Sequence, residues 1–209
     1  MSALDAFLTE VRPWAPGVPD AVAFKSIRGA AIEFCERTRL WKYEDEFNIT
    51  ADDEGDIYTP NGSVLFDLEV MQWEGKDLEP IATRDLDHRI PHWRTTPASE
   101  LSGLPQYVTQ ISLNQLKIVP IQAGSVYLCV RLKPDPNAMI VPDFLAQQYR
   151  EVIGWGALGR LLTIPGQSYS NNDLAAYYKG LFEQKIDRLN TKGTTGQQNA
   201  PKRTRARFF

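Results

Sequence analysis

Apolar residues recur along this chain with two different rhythms, and the rhythm changes twice. Residues 3–11 are periodic enough for a short helix that ends before Pro13. Arg12-Pro13-Trp14-Ala15-Pro16-Gly17-Val18-Pro19 then reads as a stiff connector. A helix is predicted from Asp20, which is placed to cap it. Phe24, Ile27, Ala31, Phe34, Cys35 and Thr38 draw one narrow stripe along it, with Arg28, Glu33, Glu36, Arg37 and Arg39 on the other faces. After Trp41 the spacing shifts to every second residue. Phe47 to Thr50 alternates like a strand inside an acidic run that otherwise reads as a solvated loop, and Pro60-Asn61-Gly62 signals a turn. Val64 to Trp73 predicts a strand with Val64, Phe66, Leu68 and Val70 on one face. Shorter strands follow near Leu78–Ile81, Tyr107–Ile111 and Gln115–Val119. Ser125 to Lys133 is the last strand, and residues 82–106 between the others are rich in loop signals.

The helical rhythm returns at Pro142-Asp143 and runs to about Thr163, before Pro165-Gly166. A final helix starts at Ser170, where Ser170 and Asp173 have the spacing of a capping box. Leu174, Tyr177, Tyr178, Leu181, Phe182, Ile186 and Leu189 continue it on one face. Beyond Asn190 no apolar residue appears until Ala200, so a flexible segment is expected there. The reading is an α+β chain. An N-terminal helix pair and two C-terminal helices (1–43 and 140–190) form a core, with an inserted small antiparallel β subdomain (44–139) and an extended tail (191–209).

The composition is that of a soluble globular protein, with 43% hydrophobic and 23% charged residues in 209. Cys35 and Cys129 make no disulfide framework and read as buried thiols of a reducing compartment. Neither a signal peptide nor a membrane span is expected, so the chain is expected to be made in the cytoplasm and to meet no membrane. Charge changes the picture more. The net charge of −3 hides a tail, residues 191–209, that carries five basic residues and no acidic one. The remainder holds 18 basic against 26 acidic residues, a charge of −8. A basic tail on an acidic body points to an acidic partner, either nucleic acid or a protein surface.

Candidate chemistry is sparse. Gly154-Trp155-Gly156-Ala157-Leu158-Gly159 has the letters of a dinucleotide loop. Such a loop must follow a strand and open a helix. These glycines fall within a predicted helix, so close packing of a neighbouring helix is the better account. His88 and His92 have helical ligand spacing, but Pro91 between them argues for an irregular polar loop, not a metal site. The acidic residues of 44–56 lack the order of a calcium loop. No nucleophile elbow, phosphate loop or Cys–His pair is present, so no catalytic residue, metal or cofactor is expected. The ending is the exception. Arg203, Arg205, Arg207, Phe208 and Phe209 combine charge with two aromatic anchors, which suits partner docking better than mere solubility.

Two stretches resemble the tailed-bacteriophage head-to-tail adaptor (connector, or head-completion) proteins. The first is Ala15-Pro16-Gly17-Val18-Pro19-Asp20 with Ile27 to Thr38. The second runs from Leu132-Lys133-Pro134 through Val141-Pro142-Asp143, Tyr149 to Ile153, Gly156 to Leu162 and Pro165-Gly166 to Ala175-Ala176-Tyr177-Tyr178 and Leu181-Phe182. The resemblance implies a helical core carrying a β insertion and a homo-oligomeric ring, usually a dodecamer, beneath the portal protein. It implies contact with a tail or lower-neck protein and a place in the virion neck. Genomic DNA would pass through the lumen without specific binding. The family's C-terminal segment often reaches the portal, which makes Arg203, Arg205, Arg207, Phe208 and Phe209 the expected portal-docking residues. The alternatives are a lower-neck or tail-completion ring protein, a nucleic-acid-binding protein acting through its basic tail, and a hydrolase.

Overall fold

The structure is a computed structural model that describes residues 1–50, 59–96, 101 and 103–195, with side chains to Asn190. It is mixed α plus β, and it divides into two compact units, residues 1–40 with 133–209, and residues 41–132.

The first unit is helical. It opens on a two-residue strand, β1 (Ser2–Ala3), then a 3-10 turn over Leu4–Phe7 and a short helix, α1 (Leu8–Val11). The expected helix over 3–11 is thus only partly α-helical. The connector leads to α2 (Asp20–Thr38). Asp20 does not cap it. Pro19 holds that position, and the Asp20 carboxylate in the first turn takes the Arg12 guanidinium at 2.9 Å. At the other end Arg39 turns left-handed, φ 55°, and its N–H donates to Cys35 C=O at 2.9 Å, which stops the helix.

After the second unit, β9 (Ile140–Val141) pairs antiparallel with β1, and Ser2 Oγ donates to Asp143 Oδ1 at 2.6 Å. The helix expected from Pro142 to about Thr163 is two helices, α4 (Asp143–Gln148) and α5 (Arg150–Leu161), broken where Tyr149 takes φ −126°, ψ 16°. The Tyr149 ring lies 4.9 Å from Phe34, so the break turns an aromatic body onto α2. The last helix is α6 (Asn172–Thr195).

Helices α2, α5 and α6 pack on one another. Ile27, Phe34, Ile153, Leu158, Leu161, Phe182 and Ile186 are buried among them. The glycine-rich stretch lies inside α5 and explains the close approach. A methyl group on Gly156 would come within 2.8 Å of Phe182 and 2.9 Å of Ala30, and one on Gly159 within 3.3 Å of Lys179. A chain of ion pairs also links the three helices. Arg160 meets Glu33 at 2.6 Å, Glu33 meets Arg37 at 3.4 Å, and Arg37 meets Asp187 at 3.0 Å.

The second unit is mostly β. One sheet has the order β2 (Lys42–Ile49), β8 (Gly124–Pro134), β3 (Ser63–Trp73), β4 (Lys76–Asp77), and β2 pairs antiparallel with β8 from Lys42↔Arg131 to Ile49↔Gly124. The other has the order β5 (Glu79–Pro80), β6 (Tyr107–Ser112), β7 (Gln115–Val119). Here β6 and β7 form an antiparallel hairpin, while the short β5–β6 pairing is parallel.

Two details differ from the sequence reading. Val64 is buried, but Phe66, Leu68 and Val70 are only half-buried, and Leu65, Met71 and Trp73 of the opposite parity are buried. A short helix, α3 (Thr83–Arg89), stands where only loop was expected. Its Leu86 packs with Trp93 and Val119 in a small separate core. The Trp93 indole N–H donates to Asp87 at 2.7 Å, and Arg94 binds the same carboxylate at 3.0 and 3.2 Å.

Candidate interaction surfaces

The residues expected to dock, Arg203, Arg205, Arg207, Phe208 and Phe209, lie outside the described residues. So does the acidic stretch beyond Thr50, whereas Glu44, Asp45 and Glu46 sit on strand β2 and not in a loop. His88 is on α3 and His92 holds φ 67° in the turn after it. Among the described residues no group of three or more His, Cys, Asp or Glu side chains could hold a metal ion. The Cys35 thiol is raised far above its ordinary value, first by burial and then by Glu36. A thiol kept protonated in this way is a weak nucleophile.

What the described surface offers instead is three contact areas. On the helical unit, the connector brings Trp14 onto α6, with ring centroids 5.7 Å from Tyr178, and Tyr178 lies 5.5 Å from Tyr177. Tyr178 is buried, but Trp14 is 52% exposed and Tyr177 59%. Together they form an amphipathic aromatic patch of the kind that anchors interfaces. The sequence signal for it was a tryptophan held between two prolines, which no core helix would explain.

On the β unit, the β6–β7 hairpin presents apolar residues at its tip, with Ile111 45% and Leu113 65% exposed. Turn positions ordinarily carry polar residues. The tip is also held in place. Asn114 adopts φ 62°, and its side-chain Oδ1 accepts the Leu65 N–H at 2.6 Å. Ser112 Oγ donates to Gln115 Oε1 at 2.7 Å across the turn.

The third area is the charged face of the four-stranded sheet. Side chains of β2, β8 and β3 meet on it by register. Lys42 reaches Glu69 at 2.8 Å, and Arg131 stands 3.4 Å from both Asp67 and Glu69. Burial pushes the Glu69 carboxyl up, but Lys42 and Arg131 outweigh it and hold Glu69 below the usual carboxylate range. Burial, with Glu69 and Glu44 nearby, pushes the Cys129 thiol up. Glu44 and Glu46 have no Lys or Arg partner among the described residues. Glu44 faces the Tyr127 hydroxyl, and Glu46 Oε1 accepts from Ser125 Oγ at 3.3 Å.

The model of the SU10 adaptor protein family matches residues 2–205. The chain belongs to the SU10 adaptor protein family. The match spans both units and enters the basic segment that begins at Lys202. It agrees with the resemblance carried by residues 15–38 and 132–182. As a phage adaptor, the chain is a structural component of the virion that contacts other virion proteins. No curated protein matches it. No helix among the described residues is long and apolar enough to cross a membrane.

Proposed function

We propose that this SU10-family adaptor forms a homo-oligomeric ring, a dodecamer, in the virion neck and joins the portal protein to a tail or lower-neck protein. The observation that carries this reading is the family match over residues 2–205. The surface chemistry supports it. An adaptor must contact at least two neighbours, and each unit has its own exposed apolar patch, Trp14 with Tyr177 on one and Ile111 with Leu113 on the other. The helical core provides the rigid body of each ring subunit. The acidic balance outside residues 191–209 suits a conduit, because like charge keeps genomic DNA from adhering as it passes. No cofactor and no catalytic residue belong to this role.

Arg203, Arg205, Arg207, Phe208 and Phe209 are the docking residues, on the portal or on an adjacent copy. A single short segment binds weakly, but a ring presents many at once, so modest contacts multiply. Deletion of residues 201–209 tests this. Truncated protein is expected to fold normally yet attach poorly to portal-bearing heads, which then lose DNA. Attachment equal to that of the full chain, with heads that keep their DNA, would remove the segment from the docking role.

A further inference from the structure

Strand β2 is an edge. In the sheet order it neighbours only β8, so among the described residues one side of its eight residues, Lys42–Ile49, has no strand beside it. Which backbone groups face outward follows from the pairing. Trp41 C=O accepts the Leu132 N–H at 2.9 Å, on the β8 side. Groups of one parity therefore point to β8, and those of Lys42, Glu44, Glu46 and Asn48 point away from it. Consistent with this, the Glu46 N–H is taken at 2.9 Å by the carboxylate of its own neighbour, Asp45. A long open edge is a ready template for another strand, and a charged side chain laid along it is a common way of keeping it from pairing indiscriminately.

The two faces of this edge differ. Lys42, Glu44, Glu46 and Asn48 are exposed on one, and Glu44 and Glu46 lack a cationic partner among the described residues. Tyr43 and Phe47, half-buried, lie on the other. One segment of the same chain has the complementary pattern. Drawn out as a strand, Arg203, Arg205 and Arg207 share one face, and Thr204, Ala206 and Phe208 share the other. We propose that residues 203–208 of one copy add as a strand to the open β2 edge of a neighbouring copy, with Arg205 and Arg207 against Glu44 and Glu46.

With Ala206 opposite Asp45, both arginines meet both glutamates whichever way the strand runs. Phe208 then falls against Tyr43 in the antiparallel direction and against Phe47 in the parallel one. An incoming carbonyl replaces the Asp45 carboxylate on the Glu46 N–H. Backbone pairing gives affinity, and the alternating side chains give selectivity. In a ring each copy carries the segment and, among the described residues, the β2 edge, so every copy donates to one neighbour and accepts from the other. A donor and an acceptor at different places on one molecule make a heterologous contact, which closes into a ring or propagates. The inference rests on the ring reading above and assigns the docking segment its partner within it.

The test uses full-length protein with Asp45→Cys in one preparation and Ala206→Cys in another. Residues opposite each other across paired strands stand roughly 4.5–5.5 Å apart at Cα, inside the range of about 4.4–6.8 Å that a disulfide spans. The natural thiols, Cys35 and Cys129, are both buried. Adaptor assembled on portal-bearing heads from the mixture is expected to give a reducible two-chain product, which neither variant gives alone. The double variant should give a ladder of linked chains. Glu44→Arg with Glu46→Arg on the edge should lower the yield about tenfold, a change of about 1.4 kcal/mol. Arg205→Glu with Arg207→Glu on the segment should restore it.

Several outcomes would overturn the proposal. A double variant that stays one chain long with both thiols consumed would place the pairing within a copy. Particles that carry adaptor rings by electron microscopy but show no link would put the segment elsewhere and leave the adaptor role standing. Failure of the charge swap to restore the link would remove the ionic recognition. Particles lacking the adaptor altogether would remove the ring reading itself, and this inference with it.

Discussion

The two units are held together by different means. In the helical unit three helices close on apolar side chains, and Gly156 leaves room for Phe182 and Ala30 and no more. In the β unit the central strand has two unlike faces, Val126, Leu128 and Val130 on one and Tyr127, Cys129 and Arg131 on the other. Three buried side-chain polar atoms have no hydrogen-bond partner among the described residues, and all three are in the β unit: Trp73 Nε1, Thr109 Oγ1 and Arg131 Nε. Arg131 Nε has the Glu69 carboxylate at 3.4 Å, close enough for charge attraction but without hydrogen-bond geometry. The contrast teaches a division of labour. The helical unit resists changes of volume, as a rigid body should. Among the described residues the β unit holds unspent polar capacity and an open edge.

The comparison breaks most visibly at the helix contacts. Phe34 and Phe182 lie on different helices, and both are almost wholly buried. Phe34→Ala or Phe182→Ala is expected to cost about 3–5 kcal/mol, because each removes a large apolar body and leaves a cavity. Leu68→Ala on the half-buried β3 stripe should cost only about 1 kcal/mol. Urea unfolding measures all three. Unchanged midpoints for both phenylalanine variants would refute the pairing of α2 with α6 through α5.

The charged face supplies a smaller and different effect. Arg131→Met keeps the apolar stem but leaves Asp67 and Glu69 without that cation. The expected loss is about 1–3 kcal/mol near neutral pH, toward the lower end because Asp67 is 40% exposed. The pH dependence has a definite sign. Glu69 in the folded state is held below its ordinary value of 4.5. Its contribution is therefore complete above that value and is lost as pH falls through the lower folded value. The wild type should lose stability on acidification below about pH 4.5, and Arg131→Met should lose less over the same interval. Parallel acid limbs in the two proteins would show that the pairing contributes nothing to stability.

The comparison also separates what could be read in advance from what could not. The stripes of α2 and α6 were legible because many apolar residues repeat at helical spacing, and the strands 63–73, 107–112, 115–119 and 124–134 lie close to the alternating runs. Helix α3 was not legible. Leu86 is its one buried residue, so there was no period to count, and Pro91 hid a helix that ends at Arg89, just before it. The break at Tyr149 was missed because neither Gly nor Pro marks it; it follows from packing on Phe34. On β3 the alternating apolar stripe was visible, but not that Leu65, Met71 and Trp73 of the opposite parity are buried. Among the contact areas, Glu44, Asp45 and Glu46 were read only as charge. Their position on an edge strand comes from the order of strands, which no local pattern carries. The residues proposed to dock, Arg203, Arg205, Arg207, Phe208 and Phe209, were singled out by composition and lie outside the described residues.

The smallest effect concerns the start of α6, where a local motif gave a specific and mistaken expectation. Ser170 with Asp173 has capping-box spacing, yet the Ser170 hydroxyl donates to Leu162 C=O at 3.4 Å, back toward the end of α5. The cap is Asn171, whose side-chain Oδ1 accepts the Leu174 N–H at 3.0 Å. The neighbouring backbone explains the shift. Asn171 N–H donates to Leu162 C=O at 2.9 Å, so the turn is fastened to α5 one residue later than the motif implies. Asn171 is also among the best capping residues, and the helix begins at Asn172 with Asp173 in its first turn. Asn171→Ala is therefore expected to cost about 1 kcal/mol, the usual loss for a vacated cap. Ser170→Ala should cost a few tenths, since 3.4 Å is a long and weak hydroxyl bond. Because α6 packs along α2 and α5, the loss from Asn171→Ala should appear in the global unfolding midpoint and not as fraying alone. The reverse order of the two variants would restore the capping box and place the start of α6 one residue earlier.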